Sequence, residues 1–166
     1  MIVATKAIPL HDMTTFVYGS NERLKQFAGQ FDNVWIISVT DPDVEALFPE
    51  DTESAISLKF HDADPDMIPT FLFGLETEQE KMKYFDSNQA KKVISFIKHA
   101  DRSGGRNSKD LLLVNCMAGI SRSGAIVHFA RNLLSLDYET FKKLNPQISP
   151  NGHVSRKLYS NESKVD

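Results

Sequence analysis

Cysteine is all but missing from this sequence: Cys116 is the single one among 166 residues. One thiol forms no internal disulfide and no multi-thiolate zinc site, so an oxidised scaffold and a zinc ribbon are both excluded. Long apolar runs are missing too; none approaches the roughly 20 residues of a membrane span. The start, Met1-Ile2-Val3-Ala4-Thr5-Lys6, lacks the basic end and apolar stretch of a secretory signal. Charge of one sign does not dominate. The 19 Lys+Arg against 22 Asp+Glu leave a formal net charge of −3, so no global basic field draws the chain to nucleic acid or anionic lipid. His11, His61, His99, His128 and His153 show no metal-ligand spacing. Four of them read as surface or helix-face residues, and His61 either as another such residue or as a neighbour of the site described below. These absences leave a cytoplasmic, metal-independent domain, with neither nucleic acid nor membrane among its expected partners.

What is present is the composition of an ordinary globular protein, 41% hydrophobic and 25% charged. The length suits one domain, residues 1–166, and buries roughly 70% of the unfolded surface. Asn33-Val34-Trp35-Ile36-Ile37-Ser38-Val39 is a short run rich in β-branched residues, ended by the turn signal Asp41-Pro42, and reads as a buried parallel strand. Ile56, Leu58 and Phe60 alternate with Ser57 and Lys59, which predicts a strand with one face covered. Leu111-Leu112-Leu113-Val114 is the most apolar strand and belongs mid-sheet; Ile2-Val3-Ala4 adds an edge strand.

Helical patterns alternate with these strands. Ser20 or Asn21 caps a helix that Gly29 ends. Asp86 and Gln89 form a capping box ahead of Ala90, Val93, Ile94 and Ile97. From Arg122, one stripe holds Ile126, Phe129, Ala130, Leu133 and Leu134, and another Gly124, His128, Arg131, Asn132 and Ser135, which predicts an amphipathic helix. A short helix near Tyr138–Leu144 carries Lys142 and Lys143 on a solvated face and stops before Pro146. The last helix starts at Ser149-Pro150, cap then first-turn proline, and runs to about Tyr159. The expected fold class is α/β, a central mostly parallel sheet flanked by helices. Residues 62–84, with Asp64, Pro65, Asp66, Pro69, Phe71 and Phe73, have no clear period and read as a functional lid or a solvated insertion.

Directly after the most apolar strand stands Cys116-Met117-Ala118-Gly119-Ile120-Ser121-Arg122-Ser123-Gly124. Ligands of parallel sheets bind beyond the C-terminal ends of strands. A loop wrapped there aims successive backbone N–H groups at one point, and a helix start adds partial positive charge. Gly119 permits a positive φ, and Arg122 offers a planar fork to two phosphate oxygens. The same groups stabilise a thiolate at Cys116, a nucleophile for phosphorus. The bland reading is a small buried hydrophobe. Against it, Gly at +3, Arg at +6 and Ser at +7 from a given cysteine coincide by chance in roughly one case in several thousand.

These residues resemble the Cys-x5-Arg-Ser/Thr loop of the cysteine-based protein tyrosine phosphatases, in the form seen in their dual-specificity branch, including small bacterial and phage-type members. Phe60-His61-Asp62 looks like the general-acid segment of that branch, and Pro150-Asn151 with Val154 and Leu158 like its closing helix. The resemblance spans residues 34–159. It implies a phosphatase-like fold and hydrolysis of phosphomonoesters in phosphorylated proteins or peptides through a cysteinyl-phosphate, without cofactor or metal. Cys116 would be the nucleophile. Arg122 and the amides of Met117, Ala118, Gly119, Ile120 and Ser121 would hold the phosphoryl group. Asp62 would be the general acid, by its place just after the strand, with Asp64 and Asp66 as alternatives; Ser123 would stabilise the departing thiolate. Asn115 stands where the family has histidine. Two other readings keep the loop: a phosphoinositide or RNA 5′-triphosphate phosphatase, disfavoured by the uncharged loop interior, and a phospho-binding pseudophosphatase.

Overall fold

A computed structural model describes residues 1–67 and 81–166. In chain order the elements are β1 (Ile2–Pro9), α1 (Leu10–Val17), α2 (Glu22–Ala28), β2 (Asn33–Thr40), β3 (Ala55–Lys59), α3 (Ser87–Ser103), β4 (Asp110–Cys116), α4 (Arg122–Leu133), α5 (Tyr138–Leu144) and α6 (Gly152–Asn161), then a 3-10 turn at Glu162–Lys164. The four strands form an all-parallel sheet in the order β1-β4-β2-β3. Six helices flank it among the described residues. Parallel strands need crossovers, and helices on the crossovers cover both faces, so the central strand is apolar over residues 111–114. All seven residues of β4 are buried.

Alternate side chains of the sheet feed two cores. Trp35, Ile37, Leu112, Val114 and Cys116 pack with Val93 and Ile97 of α3, Ile126 of α4, and Val154 and Leu158 of α6. Ala4, Ile8, Leu111 and Leu113 face the other way, against Met13 of α1 and Leu24 and Ala28 of α2. Helix α3 starts with the expected capping box: Asp86 accepts from Gln89 N at 2.8 Å and Gln89 accepts from Asp86 N at 3.1 Å.

Several elements differ from their sequence reading. Helix α4 is not two-faced in its first turns, because residues 122–130 are buried apart from half-buried His128. It lies against β1, β4 and α6 at once, and a Cβ on Gly124 would stand 3.1 Å from Ile148 Cβ. Helix α6 is capped by Asn151, not Ser149, with Asn151 accepting from Val154 N at 3.0 Å. Ser149 and Asn151 instead give their N–H groups to Ile120 O and Ser121 O, which pins Pro150 outside the helix. Helix α1, absent from the sequence reading, has no side-chain cap; Met13 is its one fully buried residue, with Phe16 packed against the same core. His153 is a core residue, with Nε2 2.8 Å from Phe85 O. Of the 62–84 stretch, residues 68–80 lie outside the described residues. His61 meets its far side twice, at Lys83 O through its N–H and at Lys83 N through Nδ1, both 2.8 Å. No helix among the described residues is long and apolar enough to cross a membrane.

Asp110 anchors the N-terminal end of the sheet. Fully buried, it accepts from Trp35 Nε1 at 3.3 Å, from Asn33 Nδ2 at 2.9 Å and from Ser108 Oγ. Burial pushes its pKa up, but the Ser108, Asn33 and Trp35 hydrogen bonds outweigh it and hold the carboxyl below its ordinary value. Asp110→Ala should therefore cost about 1–3 kcal/mol in urea unfolding at neutral pH, since the buried Trp35 Nε1 loses its acceptor. A depressed folded pKa contributes stability above the unfolded value of about 3.9 and loses it as pH falls through the folded one. The gap between variant and native protein should narrow in acid.

Candidate active site

Strand β4 ends at Cys116 and α4 begins at Arg122, so the five intervening residues turn over the C-terminal edge of the sheet. Gly119 has φ +71°, and a Cβ there would lie 2.5 Å from Ile8 C. Only glycine meets both demands. The loop rests on the end of β1: Leu10 N donates to Met117 O at 3.2 Å, and Gln147 Nε2 donates to Ala7 O at 3.0 Å and Gly119 O at 3.1 Å. Gly119 is buried, whereas Met117, Ala118 and Ile120 are exposed at the loop's outer surface.

Cys116 is buried, with Sγ 3.1 Å from Ser123 Oγ. Burial pushes its pKa up. The Ser123 hydroxyl and the backbone N–H groups of Ser123, Ile120 and Gly119 act the other way and prevail, holding the thiol below its usual range. The chain thus stabilises a thiolate with hydrogen bonds rather than with a neighbouring charge. Ser123→Ala removes the hydroxyl. The midpoint of iodoacetate inactivation against pH should rise by about one unit, the scale of one hydrogen bond to a charged group.

Arg122 is also buried, and its Nη1 donates to Asp41 Oδ1 at 2.6 Å and Phe60 O at 2.8 Å. Its Nε is buried without a hydrogen-bond partner. Asp41 and Phe60 lie just past the ends of β2 and β3, so the sheet order β4-β2-β3 brings three strand ends to one guanidinium. Sequence reasoning took Asp41 only as a turn signal; nothing in the sequence says that β2 neighbours β4.

The three candidate aspartates separate cleanly. Asp62 is exposed, and its Oδ1 accepts from Ser121 Oγ at 2.8 Å and Asn151 Nδ2 at 2.9 Å. Asp64 is gripped by Arg156 Nη2 at 2.7 and 2.8 Å, and the same nitrogen reaches Asp66 at 3.2 Å. Burial raises the Asp64 pKa, but the Arg156 hydrogen bond and charge and the Asp66 N–H lower it further, so it stays below the ordinary carboxylate value. Of the three, Asp62 alone touches the Cys116 loop. Asn151 joins the parts: its side chain caps α6 and holds Asp62, and its backbone N–H donates to Ser121 O at 3.0 Å.

Asn115 is fully buried between Ile8 and Ser38 in the sheet register, and neither amide atom has a hydrogen-bond partner. Alternation along β4 turns it to the face opposite Cys116. The chain matches no protein-family model and no curated protein. The site's chemistry therefore stands on its geometry: a depressed thiol, a cluster of inward N–H groups, a buried guanidinium and a carboxylate on the loop. Among the described residues, no group of three His, Cys, Asp or Glu side chains is placed to hold a metal ion.

Proposed function

We propose that the chain is a phosphoric monoester hydrolase of the protein tyrosine phosphatase type, dual-specificity branch, acting on phosphorylated proteins or peptides. One observation carries the reading: the Cys116 thiol, its pKa lowered by the Ser123 hydroxyl and loop amides, sits seven residues before the hydroxyl that holds it and six before a buried Arg122. The proposed first step forms a bond from Cys116 Sγ to phosphorus while the ester P–O bond breaks; Asp62 gives its proton to the leaving oxygen. In the second, Asp62 takes a proton from water as water attacks phosphorus. The S–P bond breaks, Ser123 donates to the released thiolate, and inorganic phosphate leaves. Arg122 and the inward amides of the loop hold the phosphoryl oxygens in both steps. Asp41 keeps the guanidinium oriented between turnovers.

The exposed loop residues Met117, Ala118 and Ile120 carry no charge, which favours a phosphorylated side chain over a polyanion. A panel of phosphotyrosine peptide, phosphothreonine peptide, phosphoinositide and triphosphorylated RNA tests this, with para-nitrophenyl phosphate as the reference. Turnover of the peptides, blocked by vanadate and unchanged by chelator, is the expected result. Turnover of only the lipid or RNA would reassign the substrate, and phosphate binding without any turnover would make the chain a pseudophosphatase.

A further inference from the structure

The sheet face away from Cys116 carries a second concavity, between β1, α1, α2 and the end of α5. Its volume is about 470 Å³, within the roughly 300–1,000 Å³ of small-molecule sites. Ile8, Leu24, Phe27 and Leu144 give it an apolar lining. Lys6, Arg23, Asn21 and Asp12 give it a polar one. Lys6 Nζ donates to Leu144 O at 2.8 Å, which holds the half-buried ammonium at the cavity instead of in solvent. Among the described residues, no carboxylate pairs with either Lys6 or Arg23. Burial first, then the charge of Arg23, keep the Lys6 pKa below the ordinary lysine value, while Asp12 acts at longer range in the opposite sense. Two cations therefore repel each other across one hollow with apolar walls.

We infer that this hollow binds a small organic monoanion, a carboxylate seated between Lys6 and Arg23 on a compact aromatic or branched body packed against Phe27, Leu24 and Ile8. Two cations against the one carboxylate of Asp12 leave a single positive charge, which a monoanion neutralises. A polyanion would bring excess charge up to Asp12. The apolar lining supplies the rest of the binding and rejects a bare inorganic anion. Nothing in this site depends on the chemistry assigned to Cys116.

Phenylacetate and its uncharged counterpart phenylacetamide test the site, titrated into the isotopically labelled full chain and followed by amide chemical shifts. Saturable shifts should centre on Lys6, Ile8, Leu24, Phe27 and Leu144. Phenylacetamide should bind about five- to tenfold more weakly, the size of one charge-assisted hydrogen bond at a half-open site. Arg23→Gln, at an exposed position that leaves the core intact, should bring phenylacetate down to the amide's affinity and leave the amide unchanged. Lys6→Met, which keeps the alkyl stem, should act in the same direction. Shifts confined to residues 116–123, equal binding of acid and amide, or no saturable shift at millimolar probe would each overturn the inference.

Discussion

Cys116→Ser should abolish turnover of every phosphate ester while leaving phosphate binding nearly intact. A serine hydroxyl is far less acidic than this thiol, whose pKa is already lowered by Ser123 and by the N–H groups of Ser123, Ile120 and Gly119. The loss should be on the order of 10⁴–10⁶-fold in kcat, the scale on which covalent nucleophiles act. Binding should survive because the loop's shape does not rest on sulfur. Gly119 packs on Ile8, Gln147 ties the loop to β1, and Ser121 and Asn151 tie it to Asp62. Affinity for vanadate or phosphate should change by no more than a few-fold. Measurable turnover in the serine variant, at more than a trace of the native rate, would exclude a cysteinyl-phosphate.

Asp62→Asn should reveal itself by leaving group. Asparagine keeps the oxygen that accepts from Ser121 and Asn151, so the local geometry persists. What it loses is the proton. Hydrolysis of phosphotyrosine should fall by about 10²–10⁴-fold, the usual worth of general-acid help. Para-nitrophenol departs without a proton, so its ester should suffer much less. Asp64→Asn breaks a grip by Arg156 and should alter both substrates alike. If Asp64→Asn shows the leaving-group dependence and Asp62→Asn does not, the acid lies at the wrong carboxylate.

Elements with strong local signals were legible. The apolar run at 111–114 reads as the central strand and is buried along its length, because a strand covered on both faces has no room for polar alternation. Asp86 with Gln89 reads as a capping box and is one, since both bonds close within four residues. Helix α4 misled because its polar stripe holds Gly124, which is absent surface rather than polar surface and lets Ile148 approach. Helix α1 was missed for a different reason. It has no side-chain cap and its Thr14 and Thr15 hydroxyls return to the carbonyls of Leu10 and His11, so no local stop or start signal announces it. Leu10, Met13 and Phe16 do fall at helical spacing, and Met13 and Phe16 pack on the second core.

By itself the sequence determined what lies within a few residues along the chain: a cysteine, a glycine at +3, an arginine at +6 and a serine at +7, between an apolar strand and a helix. The loop amides converge on the thiol because a short loop leaves them nowhere else to go, and Arg122 opens the helix that follows. Only the tertiary structure decided what comes from afar. Asp41 reaches Arg122 from a distance of 81 residues, and Asp62 reaches Ser121 from 59. Those partners depend on β2 lying beside β4 and β3 beside β2, an order set by which crossovers bury the most apolar surface. The separation of Asp62 from Asp64 and Asp66 is of the same kind. Three carboxylates in one loop look alike in sequence, and they part company only because α6 brings Arg156 to two of them and Asn151 to the third.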